Sequence, residues 1–295
     1  MYEYKCYRYP SAIIHEYHFE GNYGAKGEKR KPKTALTPEQ IKAHNQKHKE
    51  RKVQLLILEN FTEGDYYTTL TYPKGTRKCI SLVHEDLRAF LDKMRRAYKR
   101  RGADLKFISR IEIGSRGGAH IHLILNRIPE TDILISSRWK YGHAHNELLT
   151  DEDPTYSKLA EYMTKPPTDE AVDILKTLGG SEDLTKLVRY SCSRNLTRPE
   201  PEVHRYHNRT MRKILNDDIK PTAGYYIDRD IHPPVRGLNP FNGRTYLTYQ
   251  EIRLTKGVEA QPVKFCECPI CHQFTLDNMT CNCMQKIRKR GIRHG

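Results

Sequence analysis

The segment from Arg110 to Leu125 restricts the fold of this chain more than any other stretch. Ile111 and Ile113 flank Glu112, while Ile121, Leu123 and Leu125 alternate with His120 and His122, the two-residue period of a half-buried strand. Gly114, Gly117 and Gly118 between them supply tight-turn chemistry. The expected element is a β-hairpin with one apolar face. Its other face carries two imidazoles, and a turn near Ser115 to Gly117 brings Glu112 across from them on the neighbouring strand. Two nitrogens and a carboxylate leave coordination positions open, as a catalytic ion requires. The same donors serve non-haem iron oxygenases, and a lone His-x-His pair also suits an exposed edge strand, so the hairpin alone names neither metal nor reaction.

Charge narrows the partners. Lys and Arg number 51 against 36 Asp and Glu, a formal net charge of +15 over 295 residues, which points to polyanions. No apolar run approaches the ~18 residues needed to span a bilayer, and the cluster Leu55 to Leu58 is far shorter. Membrane insertion is therefore not expected. The N-terminal Met1-Tyr-Glu-Tyr-Lys lacks the apolar core of a secretory signal, so the expected location is the cytoplasm.

Four regions follow from the patterning. Residues 1–60 read as a basic N-terminal arm and a helix, with Thr37 as its cap, Pro38 at its first position, Gln40 closing a capping box and an end near Asn60. Residues 61–200 form the candidate catalytic domain, 201–260 an extension without an assignable role, and 261–295 a cysteine-rich basic tail. Within the second region, Tyr66 to Tyr72 is a β-prone run ended by Pro73 and Gly75. Ser81 to Arg101 carries a helical apolar stripe whose C-terminal end collects Arg95, Arg96, Lys99 and Arg100, a dipole-matched cluster and a candidate DNA-backbone contact. A short helix over Asp132 to Lys140 and a strand over Tyr141 to Glu147 complete the order helix, strand, helix, hairpin, helix, strand. That order predicts an α+β fold with an antiparallel sheet.

Pro154 to Pro166 reads as one helix that must stop before the double proline at Pro166 and Pro167. Lys158, Tyr162 and Lys165 share one face of it, where both ammonium groups would reach the Tyr162 hydroxyl and favour phenolate or steady a phosphate under attack. Tyrosine is among the side chains that form covalent intermediates. In isolation the same helix would simply pack Tyr162 beside Leu159 and leave the lysines in water.

Three motifs, in this order, resemble rolling-circle replication initiators of the HUH endonuclease superfamily: Tyr67-Thr-Thr-Leu-Thr-Tyr72, Ala119-His-Ile-His-Leu123 and Tyr162-Met-Thr-Lys165. Tyr190-Ser-Cys-Ser-Arg-Asn-Leu-Thr-Arg-Pro199 is similar to a stretch that follows the nucleophile helix in bacterial members. The resemblance spans roughly residues 40 to 250, and the order of motifs disfavours conjugative relaxases. It implies an antiparallel five-stranded sheet with helices on one face, of the RRM or ferredoxin-like kind. It also implies Mg²⁺ or Mn²⁺ on Glu112, His120 and His122, with Tyr162 as nucleophile and Lys165 beside it. The substrate implied is single-stranded DNA at a replication origin, nicked and rejoined through a 5′-phosphotyrosyl link, with a host helicase and DNA polymerase as partners and Lys158 among the DNA contacts. Tyr156 could serve as a second nucleophile, but its six-residue offset from Tyr162 places it on another helix face and favours a single tyrosine.

At the C-terminal end, Cys268-x-x-Cys271 and Cys281-x-Cys283 give a thiolate set for structural Zn²⁺, with Cys266 or His272 as substitute ligands. A transposase of the same chemistry and a non-catalytic zinc protein that binds DNA are the competing readings.

Overall fold

The computed structural model describes all residues except 20–35, 115, 151, 178–189, 217, 228, 230–231, 240–243, 255–264, 268–273 and 277–295. In chain order the elements are β1 (Tyr2–Arg8), β2 (Ala12–Phe19), α1 (Pro38–Asn60), β3 (Tyr66–Thr71), α2 (Ile80–Lys99), β4 (Phe107–Ile113), β5 (Ala119–Leu125), α3 (Thr131–Arg138), β6 (His143–Leu148), α4 (Ser157–Thr164) and α5 (Asp169–Thr177). There follow β7 (Ser191–Cys192), β8 (Glu202–Tyr206), α6 (Asn208–Asn216), β9 (Tyr225–Tyr226), β10 (Val235–Leu238), β11 (Thr245–Arg253), β12 (Phe265–Glu267) and β13 (Phe274–Leu276). The chain is α+β with antiparallel sheets. Among the described residues no helix is long and apolar enough to cross a membrane.

The hairpin forms as its alternation requires. β4 and β5 pair antiparallel with Glu112 opposite His120 and Arg110 opposite His122, and the turn closes through Gly117 N–H to the Gly114 carbonyl at 2.8 Å. Gly117 sits at φ +81°, a conformation that side chains rarely adopt. The five strands run in the order β6-β3-β5-β4-β7. The Tyr190 to Pro199 segment supplies the last of them: β7 pairs with Ile108 and Ser109, and Ser193 exchanges backbone and side-chain hydrogen bonds with Phe107.

Alternation then sorts the sheet into two faces. Leu70, Phe107, Ile111, Ile121, Leu123 and Leu125 face α2 and α3, where Phe90, Met94, Tyr98, Leu134 and Trp139 are buried against them. Each such side chain removed from water contributes roughly 1.5–3 kcal/mol. On the opposite face, Tyr67, Ile108 and Ile124 meet Val53 to Leu58 of α1 and Ala160 and Met163 of α4. Helices therefore cover both faces, which corrects the expectation of helices on one face. The reason lies in Ile108 and Ile124, apolar residues of the polar parity that would otherwise be left in water. α1 begins with the expected capping box, Thr37 and Gln40 bonding each other's backbone N–H.

The two ends of the first 253 residues meet in a second antiparallel sheet, β10-β11-β2-β1-β8, with β9 added on β11. Residues read as an N-terminal arm and as a C-terminal extension are thus hydrogen-bonded neighbours, Tyr4 lying between Tyr17 and His204. Tyr2, Tyr17, Leu247 and Tyr249 form its core with Met211 of α6. α1 is tied to this sheet by Arg51 Nε to Glu16 Oε1 at 2.6 Å and by Gln54 Nε2 to Gln250 Oε1 at 2.9 Å.

A separate unit, residues 254–295, contains the two-stranded sheet of β12 and β13, with Phe265 opposite Leu276. The expected zinc ligands Cys268, Cys271, Cys281 and Cys283 lie outside the described residues.

Candidate functional site

The polar end of the face shared by α1 and α4 holds the expected cluster. His122 is buried, and its two ring nitrogens are both engaged. Nδ1 meets the Tyr67 hydroxyl at 2.9 Å and Thr69 Oγ1 at 3.2 Å; Nε2 meets Glu112 Oε2 at 2.9 Å and the Tyr162 hydroxyl at 3.0 Å. Tyr162 donates its hydroxyl proton to Glu112 Oε2 at 2.7 Å. A carboxylate, an imidazole and a phenol therefore form a triangle, reached from positions 112, 122 and 162 on three different elements.

The same contacts set protonation. The His122 hydrogen bond, then those from Tyr162 and the charge on Arg110, hold the Glu112 carboxyl down to about 2 against the opposing effect of burial. Burial and the Glu112 carboxylate push the Tyr162 phenol above its ordinary value. Burial and the neighbouring His122 lower His120, which favours its neutral form. An ionised carboxylate and a neutral imidazole are the forms in which these groups bind a cation.

α4 delivers Tyr162 because both of its ends are fixed. Asp153 precedes the helix, accepting from Thr155 Oγ1 at 2.8 Å and from the Lys158 N–H at 2.9 Å, with His232 Nε2 at 3.6 Å. At the other end Gln46 of α1 donates to the Thr164 carbonyl at 3.0 Å, just ahead of Pro166. From below, buried Arg110 donates through Nη1 to the Tyr162 carbonyl and lays its guanidinium 5.4 Å from the centre of the Tyr162 ring.

Not every expected site residue joins the cluster. Among the described residues no three His, Cys, Asp or Glu side chains converge on a metal position. Glu112 and His122 meet, whereas His120 Nε2 lies toward Gly114 and Gly118, within 4.0 Å of where a Cβ on either would stand, and its ring centroid is 6.5 Å from that of His122. The donor set still fits a divalent ion. Ligands about 2.1 Å from an octahedral ion stand about 3 Å apart, close to the 2.9 Å between Glu112 Oε2 and His122 Nε2; His120 would have to rotate toward them. The expected lysine contacts are not made: the Tyr162 hydroxyl bonds Glu112 and His122, and Lys158 and Lys165 are exposed. Lys165 instead borders a cleft shared with Glu112 and Arg110.

Arg95, Arg96, Lys99 and Arg100 are exposed on α2, which covers the other face of the sheet. They are not brought to the nucleophile, because the apolar stripe that roots α2 belongs to the Leu70 and Ile121 parity. Arg95 pairs with Asp92 at 2.5 Å. Tyr156 is buried among Leu56, Leu149 and Ala160, so it is a core residue. Trp139 is also core, donating to the Thr71 carbonyl at 3.1 Å. Sequence reasoning missed Tyr67, Thr69 and Arg110 as parts of the site. The available signal was parity: each stands two or four residues from a like-facing partner on its strand.

Fold and site define a class: an α+β protein in which a tyrosine hydroxyl is presented to a carboxylate and an imidazole over an antiparallel sheet. Residues 65–167 match the model of a family of replication-associated proteins, the ORF2 type, and this match supports a place among replication initiators. The matched span runs from before β3 to the end of the double proline and contains Tyr67, Glu112, both histidines and Tyr162. No curated protein and no solved structure matches the chain.

Proposed function

We propose that this chain is a metal-dependent endonuclease and strand transferase of the HUH type, which nicks and rejoins single-stranded DNA at a replication origin. The observation that carries the reading is the Tyr162 hydroxyl, hydrogen-bonded to both Glu112 and His122 within the span matched by a replication-protein family. Mg²⁺ or Mn²⁺ held by Glu112, His120 and His122 supplies charge stabilisation on the scissile phosphate when bound.

The residues of the chain do the rest. The Tyr162 oxygen bonds to phosphorus as the bond to the 3′ oxygen breaks, leaving a 5′-phosphotyrosyl link and a 3′-hydroxyl once that oxygen takes up a proton. Glu112 Oε2 and His122 Nε2 are the acceptors within reach of the phenolic proton, and burial makes such an acceptor necessary by keeping the phenol protonated at neutral pH. Tyr67 and Thr69, bonded to the far nitrogen of His122, hold its ring so that Nε2 faces the phenol. The reverse step rejoins the strand. A host polymerase would extend the 3′-hydroxyl after a helicase opens the duplex, and the C-terminal cysteines would hold a structural Zn²⁺.

The test is a labelled single-stranded oligonucleotide pool incubated with protein and Mn²⁺ and resolved under denaturing conditions. A covalent adduct is expected with the unaltered chain and with Tyr156→Phe, and none with Tyr162→Phe. An adduct that survives Tyr162→Phe removes this tyrosine as nucleophile, and no adduct with the unaltered chain removes the nuclease.

A further inference from the structure

We infer that the cleft between β4 and the segment from Lys165 to Thr168 seats a second backbone phosphate of the single strand, beside the one attacked, held by Arg110 and Lys165. The inference rests on the single-strand reading above and adds to it a binding site for the substrate backbone. Arg110 is only 4 % exposed. Its Nη1 is committed to the Tyr162 carbonyl, but its Nε is buried without a hydrogen-bond partner among the described residues. A buried guanidinium with an unused donor is costly to maintain unless an acceptor arrives.

The cleft is where one could arrive. β7 covers β4 only at Ile108 and Ser109, so from Arg110 onward the outer side of β4 borders the cleft, with Glu112 on the same wall and Lys165 and Thr168 opposite. The Glu112 carboxylate is already engaged by His122 and Tyr162, which leaves two cations facing the space. A phosphodiester oxygen suits them, because guanidinium and ammonium both form their strongest hydrogen bonds to anionic oxygens. Arg110 and Glu112 stand two residues apart on one strand, roughly 7 Å, a repeat similar to that of successive phosphates in an extended single strand. A strand laid along β4 thus places one phosphate at Tyr162 and its neighbour at Arg110.

The experiment measures the affinity of the full chain for a sixteen-nucleotide oligothymidine, without divalent ion, across a salt series. Arg110→Met and Lys165→Met should each weaken binding several-fold and make the slope of log affinity against log salt shallower by about 0.7, the share of one single-strand phosphate. Arg110→Lys should retain the slope of the unaltered chain. An unchanged slope in Arg110→Met overturns the proposal, and where that variant does not fold, an unchanged slope in exposed Lys165→Met does so. The Mn²⁺ adduct assay separates the two readings. Adduct with unchanged slopes removes this phosphate seat alone; shallower slopes with no adduct keep the seat and remove the nuclease.

Discussion

Asp153→Asn is expected to loosen the helix that carries the nucleophile, at a cost that the geometry fixes. Burial works against ionisation of this carboxyl, yet His232, Thr155 and the Lys158 N–H together hold it down to about 2, against an ordinary 3.8. The side chain is 19 % exposed, so solvent screens these contacts little. A depression of nearly two units corresponds to roughly 2 kcal/mol of folding stability. Because the folded value is the lower one, that contribution is complete above about pH 4 and is lost as pH falls from 4 toward 2. Asparagine cannot ionise and keeps only one acceptor oxygen. Urea unfolding should therefore show Asp153→Asn destabilised by about 2 kcal/mol at pH 7 and equally at pH 5, with the gap closing below pH 4. Covalent adduct formation should fall with it, since the start of α4 sets the position of Tyr162. A stability difference under about 0.5 kcal/mol at pH 7, the size of an ordinary surface change, would refute the account, as would a difference that persists undiminished near pH 2.5.

Two other expectations are independent of that helix. At Gly142 an added Cβ would stand 2.0 Å from the Thr71 carbonyl oxygen and 2.9 Å from Tyr72 Cα, both backbone atoms, so Gly142→Ala must displace the end of β3 and should cost about 1–3 kcal/mol in urea unfolding; no change in midpoint would show that the contact relaxes freely. If Cys268, Cys271, Cys281 and Cys283 hold Zn²⁺ through thiolates, metal analysis of the purified chain should find about one zinc per molecule, lost in Cys271→Ala; a metal-free chain would remove that site.

The sequence by itself determined what depends on near neighbours. Strict alternation between Ile111 and Leu125 set the hairpin, its register and the shared face of Glu112, His120 and His122, because a pleated strand has a fixed two-residue period. Thr37 and Gln40 marked the start of α1, and Pro166 the end of α4, because capping and the missing proline N–H act within one turn. Tertiary structure alone decided which elements meet. Local pattern gave α2 a buried stripe but not the face it would cover, and so could not show that Arg95 to Arg100 lie away from the nucleophile. Nor could it show that Tyr67 and Thr69 would orient His122, some 50 residues away, that Arg110 would lie under Tyr162, or that the chain's first strands would pair with residues beyond 200. Those pairings are chosen by the burial of apolar surface summed over the whole unit, a quantity that no single segment carries.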